Sequence, residues 1–333
     1  MDRPFLNAQG ESTMKIKSSK IIKFIQTAYK VARRSIATYS NKFSKHRYTQ
    51  PQHVSLLCLK QRLRLRYREF VDLIEEMPGL KGELVLDEIP HFTTLQKFFQ
   101  KISSVLFDRI LNQTLSLFDI NNPWIAIDGT GHSSSHASTY YAKKLKKQKK
   151  KRRKGYTKNC IAVDTDRQVI VAQRTAKGPR HDRRDAIPLI RKSRGVKPKG
   201  YSMDKAFDDE EIHRVVREEA HAKCMIPIKK NREKTGKYRL SMLTDFNEDE
   251  YHRRSLVETV ISVEKRVLDD VNYSRTDRMR NKESKLRNIC YNIYKYAMIF
   301  ILETRFYFTE TMEDFYKAEV LIKTLSENLK YRL

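Results

Sequence analysis

The spacing of apolar residues changes once along the chain, close to residue 120. Before that point, apolar side chains recur every three or four residues, first over residues 54–74 and again over residues 93–110. This spacing is typical of helices that bury one side. Gln61 interrupts the first run at an apolar position, and Pro78-Gly79 separates the two runs. We therefore predict a small all-helical domain over residues 51–120.

After residue 123 the pattern changes to short runs of β-branched and other apolar residues, which are typical of strands. Longer stretches with helical periodicity lie between them. We predict strands at residues 124–127, 160–163, 168–172, 200–203 and 224–228, and helices at about 182–194, 208–221, 250–269 and 283–305. The turn-forming residues 164–167 predict a hairpin over about residues 158–175. This alternation indicates a mixed α/β domain over residues 121–305.

The two ends of the chain show no comparable core pattern. Residues 1–50 are basic and polar with one short apolar patch, and we predict a partly disordered arm there. Residues 306–333 are predicted to form a C-terminal helical tail. The folded domains are therefore expected between residues 51 and 305.

The chain is strongly basic. Its 333 residues include 68 lysines and arginines against 40 aspartates and glutamates, giving a net charge of +28. Such a charge predicts a polyanionic partner, and nucleic acid fits best because phosphate binding releases condensed counterions. An acidic membrane surface is the main alternative, but no segment has the roughly 20 apolar residues that a membrane span needs, and no signal-peptide core is visible. We expect a cytoplasmic protein without a membrane partner.

A run of basic residues precedes the predicted hairpin. Over residues 143–154, only Leu145 and Gln148 interrupt ten lysines and arginines. The run is compatible with a solvated, disordered loop and with a loop that grips phosphates, and the sequence leaves both interpretations open. In the second interpretation, the candidate phosphate-binding residues are Lys149, Lys150, Lys151, Arg152 and Arg153.

Two aspartates follow predicted strands directly. Asp128 comes after the strand at residues 124–127, and Asp204 comes after the segment at residues 200–203. Carboxylates at the ends of two strands of one sheet can converge, and such hard oxygen ligands suit Mg²⁺ or Mn²⁺. Each aspartate alone also fits a turn or a helix cap. A third acid would favour a metal site that hydrolyses or transfers phosphodiesters.

Glu258 supplies such an acid, in the helix predicted at residues 250–269. Tyr251, Arg254, Glu258 and Lys265 are spaced by three, four and seven residues, which places them within roughly 60° of helical arc. The apolar residues expected on the opposite side are Leu256, Val260, Val263 and Val267. An ordinary surface helix with ion pairs four residues apart is the alternative. The ordered set of four favours the wall of a catalytic cleft.

The spacing Tyr251-x-x-Arg254-x-x-x-Glu258, followed seven residues later by Lys265, matches the Tyr-Arg-Glu-Lys signature of prokaryotic insertion-sequence DDE transposases. Asp128-Gly-Thr and Asp204-x-Ala-Phe resemble the first and second acidic motifs of the same family. The resemblance spans roughly residues 90–305.

The resemblance implies an α/β protein with an RNase H-like catalytic core, uninterrupted between its second aspartate and its glutamate. It implies two Mg²⁺ or Mn²⁺ ions held by Asp128, Asp204 and Glu258, which would cleave DNA and transfer the strand. It also implies that Tyr251, Arg254 and Lys265 contact the element's end. The helical domain over residues 51–120 is then the candidate for recognition of the terminal repeats or for dimerisation. The expected partners are double-stranded terminal inverted repeats and target DNA, bound by a homodimer in a prokaryotic cytoplasm, in association with the nucleoid.

Two other functions stay open at this point. One is a catalytically inactive, domesticated DNA-binding protein, which the presence of all three acids disfavours. The other is an RNase H-like nuclease or resolvase without strand transfer, which the Tyr-Arg-Glu-Lys pattern disfavours. His181, Asp182 and Asp185, at the start of the helix predicted at residues 182–194, are secondary candidates near the cleft, because helix capping and first-turn placement more often explain acids there.

Overall fold

A mixed six-stranded sheet forms the centre of the computed structural model, which describes residues 19–135, 156–229 and 236–306. Within these residues the strand order is β3-β2-β1-β4-β5, and β6 pairs with the far end of β1. β1, β2 and β3 are antiparallel neighbours, whereas β4 and β5 run parallel to β1. The strands are β1 (Trp124–Ser134), β2 (Thr157–Asp164), β3 (Val169–Lys177), β4 (Gly200–Met203), β5 (Lys223–Met225) and β6 (Val271–Asn272). This order and these directions confirm the predicted RNase H-like class.

Helices cover both faces of the sheet. In chain order they are α1 (Lys20–Ser35), α2 (Gln50–Leu63), α3 (Tyr67–Glu75), α4 (Pro78–Glu83), α5 (Phe92–Lys101), α6 (Ser104–Leu115), α7 (Arg183–Ser193), α8 (Glu210–Arg214), α9 (Lys237–Asp245), α10 (Glu248–His252), α11 (Ser255–Leu268) and α12 (Asp277–Phe306). A π-helical turn, Val215–Glu219, extends α8, and short 3₁₀ turns follow α7 and β4. Among the described residues, no helix is both long and apolar enough to cross a membrane.

Alternate residues of β1 point into two different cores. Ile125 and Ile127 pack with Leu189 of α7 and Ile212 of α8 in one core. Ala126 packs in a second core, which contains residues of α1–α6, α11 and α12. This alternation follows from the two-residue repeat of a strand. The helical segment before residue 120 and one face of the sheet therefore share a single hydrophobic core.

Residues 20–35 differ from the expectation of a partly disordered arm. They form α1, and its apolar side buries Phe24, Ile25, Ala28 and Val31 in the second core. The short apolar patch in the sequence was the signal of this helix. Its exposed side is basic and polar, which made the segment resemble an unfolded arm.

Each of the two helical runs predicted before residue 120 forms two helices in the structure. The second run is divided between α5 and α6. The first ends as α2 at Leu63 because Arg64 adopts a left-handed conformation (φ 58°), and α3 begins at Tyr67. Gln61, the apparent flaw in the apolar pattern, is buried, and its Nε2 donates a 2.8 Å hydrogen bond to the carbonyl of Leu268 at the end of α11. The polar residue therefore satisfies a carbonyl that the end of α11 leaves without a helical partner.

Candidate active site

Asp128 and Asp204 are neighbours across the parallel pair of β1 and β4. The register pairs Ile127 with Met203, so the next residue on each strand is an aspartate. Adjacent strands lie about 4.8 Å apart, and side chains alternate between faces. Both aspartates therefore lie beside each other on the face of the sheet that Ala126 occupies. The predicted convergence of the two residues agrees with this placement.

β1 does not end before Asp128, as the sequence predicted, but continues to Ser134. The prediction was wrong because the residues after Asp128 are small and polar, which resembles a loop. β2 supplies an antiparallel partner for each position from Asp128, opposite Ile161, to His132, opposite Thr157. Asp128 is consequently held inside a strand, whereas Asp204 follows the last residue of β4.

Each aspartate binds the main chain directly after it. Oδ1 of Asp128 accepts the N–H of Gly129 at 2.7 Å, and Oδ1 of Asp204 accepts the N–H of Lys205 at 2.7 Å. Asp204 thereby caps the 3₁₀ turn Lys205–Phe207, as the simpler interpretation of this acid predicted. The cap fixes the carboxylate but occupies only one of its two oxygens, so capping and ligand binding are compatible.

Glu258 lies in the first turn of α11 and its side chain is 55% exposed. Arg254 connects it to the sheet, because guanidinium Nη1 lies 2.7 Å from Oε1 of Glu258 and 4.0 Å from Oδ2 of Asp128. The first and third candidate acids thus share one arginine. This ion pair occupies Oε1 of the Glu258 carboxylate.

Burial raises the pKa of Asp128 above its ordinary value, and the negative charges of Glu258 and Asp182 raise it further. The N–H of Gly129 and the Arg254 guanidinium act in the opposite direction. A carboxylate that is partly desolvated and close to other acids gains stability from a cation. On balance, the surroundings of Asp128 raise its pKa and so disfavour its ionised form.

The single helix predicted at residues 250–269 is two helices in the structure, and that prediction was wrong. α10 ends at His252, and α11 begins at Ser255. The N–H of Arg254 bonds the carbonyl of Tyr251 at 2.9 Å, a three-residue turn that replaces the α-helical bond. Tyr251 consequently leaves the common stripe. Its ring packs beside Trp124 and Met225 and lies 5.3 Å from the Phe246 ring centroid.

The buried side of α11 also differs from the prediction. Val257, Val260, Glu264 and Leu268 are buried, whereas Leu256, Val263 and Val267 are only partly covered. At three of the four positions, the buried residue therefore lies one residue later than predicted. Lys265 stays partly exposed, next to the buried Glu264.

Glu264 belongs to a buried polar cluster that the sequence analysis missed. Its Oε2 lies 3.4 Å from Nε2 of His132, and its Oε1 lies 3.8 Å from Nε of Arg287. All three side chains are at most 2% exposed. Nδ1 of His132 also bonds the Ser284 hydroxyl at 2.8 Å. The available signal was the spacing of Glu264, which lies four residues after Val260 and four before Leu268. The prediction placed Val263 and not Glu264 on the buried side of the helix.

Gly129 is required by an ion pair on the other face of the sheet. Lys158 and Asp182 form a salt bridge there, and a Cβ at Gly129 would lie 2.6 Å from Oδ1 of Asp182 and 2.7 Å from Cε of Lys158. Asp182 stands at the N-cap position of α7 but makes no capping bond. Asp185 is buried, with Arg174 at 2.6 Å. The carboxylates of Asp182 and Asp185 therefore form salt bridges and not helix caps.

Over residues 19–135, 156–229 and 236–306, no group of three or more histidines, cysteines, aspartates or glutamates is arranged to hold an ion. The adjacent oxygen donors of Asp128 and Asp204 fit Mg²⁺ or Mn²⁺. Glu258 fits by its chemistry and its helix, but Arg254 holds it in the described arrangement. The candidate phosphate-binding residues Lys149, Lys150, Lys151, Arg152 and Arg153 lie outside the described residues.

The fold is an RNase H-like sheet. Asp128 and Asp204 come from two adjacent central strands of this sheet, and Glu258 comes from a later helix. DDE enzymes are expected to carry their three acids on a fold of this class. The family model described as the transposase DDE domain matches residues 122–293, just over half of the 333-residue chain. The chain belongs to this family. The match includes all three candidate acids.

Comparisons with individual proteins add less. A search among curated proteins finds no significant match. A similar chain occurs in a cryo-EM structure of the piggyBac transposase synaptic complex with hairpin DNA. The similarity covers 86% of this chain and 74% of that chain. Its TM-score is 0.46 and its sequence identity is 10%.

Proposed function

We propose that the protein is an active DDE transposase that cleaves DNA at the ends of an insertion sequence and transfers the cut strand into target DNA. The proposal rests chiefly on the parallel register that makes Asp128 and Asp204 neighbours. Arg254 ties Glu258 to the same place, and the chain is a member of the transposase DDE family.

Asp128 and Asp204 are proposed to hold Mg²⁺ or Mn²⁺, two ions per site, with Glu258 completing the ligand set. When bound, the ions would activate a water or 3′-hydroxyl and stabilise the leaving oxygen. The protein's own contribution is rigid placement. β1 holds Asp128 within a paired strand, and the main-chain N–H of Lys205 fixes the carboxylate of Asp204.

Arg254 is proposed to exchange partners during the reaction. In the structure it pairs with Glu258 and lies within 4.0 Å of Asp128. When Glu258 turns to a cation, the guanidinium is released beside the site and can bind a DNA phosphate with two parallel hydrogen bonds. The arginine thereby couples the loss of its carboxylate partner to the arrival of DNA.

The remaining contacts with DNA are proposed from the family resemblance and from charge. Lys265 and the basic run that includes Lys149–Arg153 would bind phosphates, and Tyr251 would stack on an unpaired base. Terminal inverted repeats and target duplex are the proposed partners, with a homodimer as the active form. A prokaryotic cytoplasm, in association with the nucleoid, is the proposed location. The net charge of +28 supports a DNA partner.

Cleavage of a fragment that carries the host element's inverted repeats, with Mg²⁺ or Mn²⁺, tests the proposal. The intact protein is compared with Glu258→Gln and with Glu248→Gln, a control on an exposed residue of α10. We expect Glu258→Gln to lose cleavage but to retain DNA binding, and Glu248→Gln to cleave normally. Equal cleavage by all three proteins would show that Glu258 is not a ligand. Specific binding without cleavage by any of them would indicate a domesticated DNA-binding protein.

A further inference from the structure

The N-terminal part of the chain carries a long segment without any acid. Between Glu11 and Glu69 the sequence contains eight lysines and seven arginines, and no aspartate or glutamate. The structure describes this segment from residue 19 onward, as α1, α2, the start of α3 and the loop of residues 36–49 that joins α1 to α2. A partner of this surface must accept a concentrated positive charge.

The joining loop presents an aromatic side chain to solvent. Phe43 is 84% exposed, the highest value among the large hydrophobic residues that the structure describes as exposed. A single exposed apolar side chain is common on protein surfaces. A phenyl group at the tip of a basic loop is a more specific arrangement, because it combines an apolar plane with charges that repel other basic surfaces.

Local contacts hold the tip of the loop in a defined conformation. The N–H of Phe43 donates to Oδ1 of Asn41 at 2.9 Å, which forms a side-chain turn beneath the ring. The hydroxyls of Ser40 and Ser44 lie 3.1 Å apart across the same turn. The ring of Tyr39 stacks on His46 with centroids 4.2 Å apart. The phenyl group is therefore displayed from an organised turn.

One lysine lies over the exposed ring, and other basic residues lie near it in the sequence. Nζ of Lys42 lies 5.1 Å from the Phe43 centroid, and Lys45 follows two residues later. Arg33 and Arg34 end α1 on the approach to the loop. In the part of the chain that the structure describes, none of these four cations forms a salt bridge with a carboxylate. Their charges remain available for phosphates.

Nucleic acid is the partner that matches both features. Its phosphates attract the cations, and its bases offer flat faces against which an aromatic ring can stack or between which it can insert. We propose that the loop of residues 36–49 docks on DNA, with Phe43 inserted into the base stack and Lys42 and Lys45 on the flanking phosphates. This inference rests on DNA being the substrate in the proposed function, but it assigns a contact outside the carboxylate site.

The test uses the full-length protein and a 30-base-pair duplex that carries 2-aminopurine at several central positions, in EDTA. The fluorescence of 2-aminopurine rises when the base is unstacked. We expect the intact protein to raise it, and Phe43→Ala to abolish the rise and to weaken binding at least about 5-fold, the lower range for losing one base–aromatic stack. Leu243→Ala, which truncates another exposed hydrophobic residue on α9, is the control and should change neither quantity.

The charges are tested separately from the ring. Lys42→Ala combined with Lys45→Ala should lower the slope of log affinity against log salt by about 1.8, since each phosphate contact contributes about 0.9. Phe43→Ala should leave that slope unchanged. Equal fluorescence and affinity for Phe43→Ala and the intact protein would overturn the proposal, as would an unchanged salt slope in the lysine variant.

Failure of this inference can be told apart from failure of the proposed function. The measurement contains EDTA and needs no cleavage, so a protein that binds DNA without cutting it still reports on Phe43. Conversely, cleavage that depends on Glu258 while Phe43→Ala shows normal unstacking would reject the loop contact and keep the transposase.

Discussion

Replacing Glu264 by glutamine should destabilise the fold strongly, although the change preserves size and lies away from solvent. The substitution removes the one carboxylate that lies beside both Arg287 and His132. Arg287 is 0% exposed, so water cannot compensate its charge. Removing one partner of a buried ion pair costs about 3–5 kcal/mol. The separation of 3.8 Å between Arg287 Nε and Glu264 Oε1 exceeds hydrogen-bond length, so we expect the lower end, about 3 kcal/mol.

Thermal unfolding followed by circular dichroism measures this effect. A loss of about 3 kcal/mol corresponds to a fall of roughly 6–12 °C in the midpoint for a domain of 150–250 residues. Glu258→Gln is the matched control on the same helix, and its exposed ion pair should change stability by less than about 0.5 kcal/mol. Replacing Glu264 by leucine and Arg287 by methionine together should recover most of the loss, because neither charge then remains buried. A change below about 1 kcal/mol for Glu264→Gln, or no recovery in the double variant, would refute the reasoning.

Three further predictions concern pH, packing and metal. Burial lowers the pKa of His213 from about 6.5 to about 4, so the unfolded chain binds more protons than the folded chain between these pH values. The free energy of unfolding should therefore fall by up to about 3 kcal/mol as the pH drops from 6.5 to 4. Urea unfolding at both pH values measures this loss, and His213→Leu should reduce the loss. Gly200→Ala would push a methyl group into the Trp124 indole and cost about 1–3 kcal/mol in urea unfolding, whereas Gly195→Ala meets nothing within 4 Å and should stay within about 0.5 kcal/mol. Mg²⁺ at ten times its dissociation constant should stabilise the protein by about 1.4 kcal/mol in a thermal shift assay; the same shift in Asp128→Asn would contradict its assignment as a ligand.

Local sequence signals indicated candidate residues, but not how the fold arranges them. Asp128 and Asp204 were found because each follows an apolar strand, a local signal. Their adjacency depends on the parallel pairing of β1 with β4, which brings together residues far apart in the chain and leaves no local mark. The break between α10 and α11 was missed for a related reason. His252-Arg-Arg-Ser255 contains neither glycine nor proline, so nothing in the local sequence marks the change of direction.

Buried polar residues were the other source of difference. Gln61 was treated as an interruption of an apolar stripe, and the predicted buried side of the helix that contains Glu258 did not include Glu264. In the structure each is buried, and each has a partner from a distant part of the chain, the carbonyl of Leu268 for Gln61 and Arg287 for Glu264. A hydropathy pattern cannot distinguish a buried polar residue from an exposed one. Such a residue can be interpreted only when the element that supplies its partner is known.

Together with the pair Arg254–Asp128, these contacts hold α11, which carries the exposed Glu258, against the sheet and α2. Arg254 joins the start of the helix to Asp128, Glu264 joins its middle to His132, and Gln61 binds the carbonyl at its end. Asp128 and His132 lie four residues apart on the same face of β1, so one strand positions the helix at two points. The polar half of β1, which lies beyond the predicted strand, therefore supplies both of these contacts with α11. A variant that loosens the contact between Glu264 and His132 should consequently lower the rate of cleavage while leaving DNA affinity unchanged. Cleavage and DNA binding are measured side by side for Glu264→Gln. General unfolding would reduce both the cleavage rate and the affinity, and would contradict this prediction.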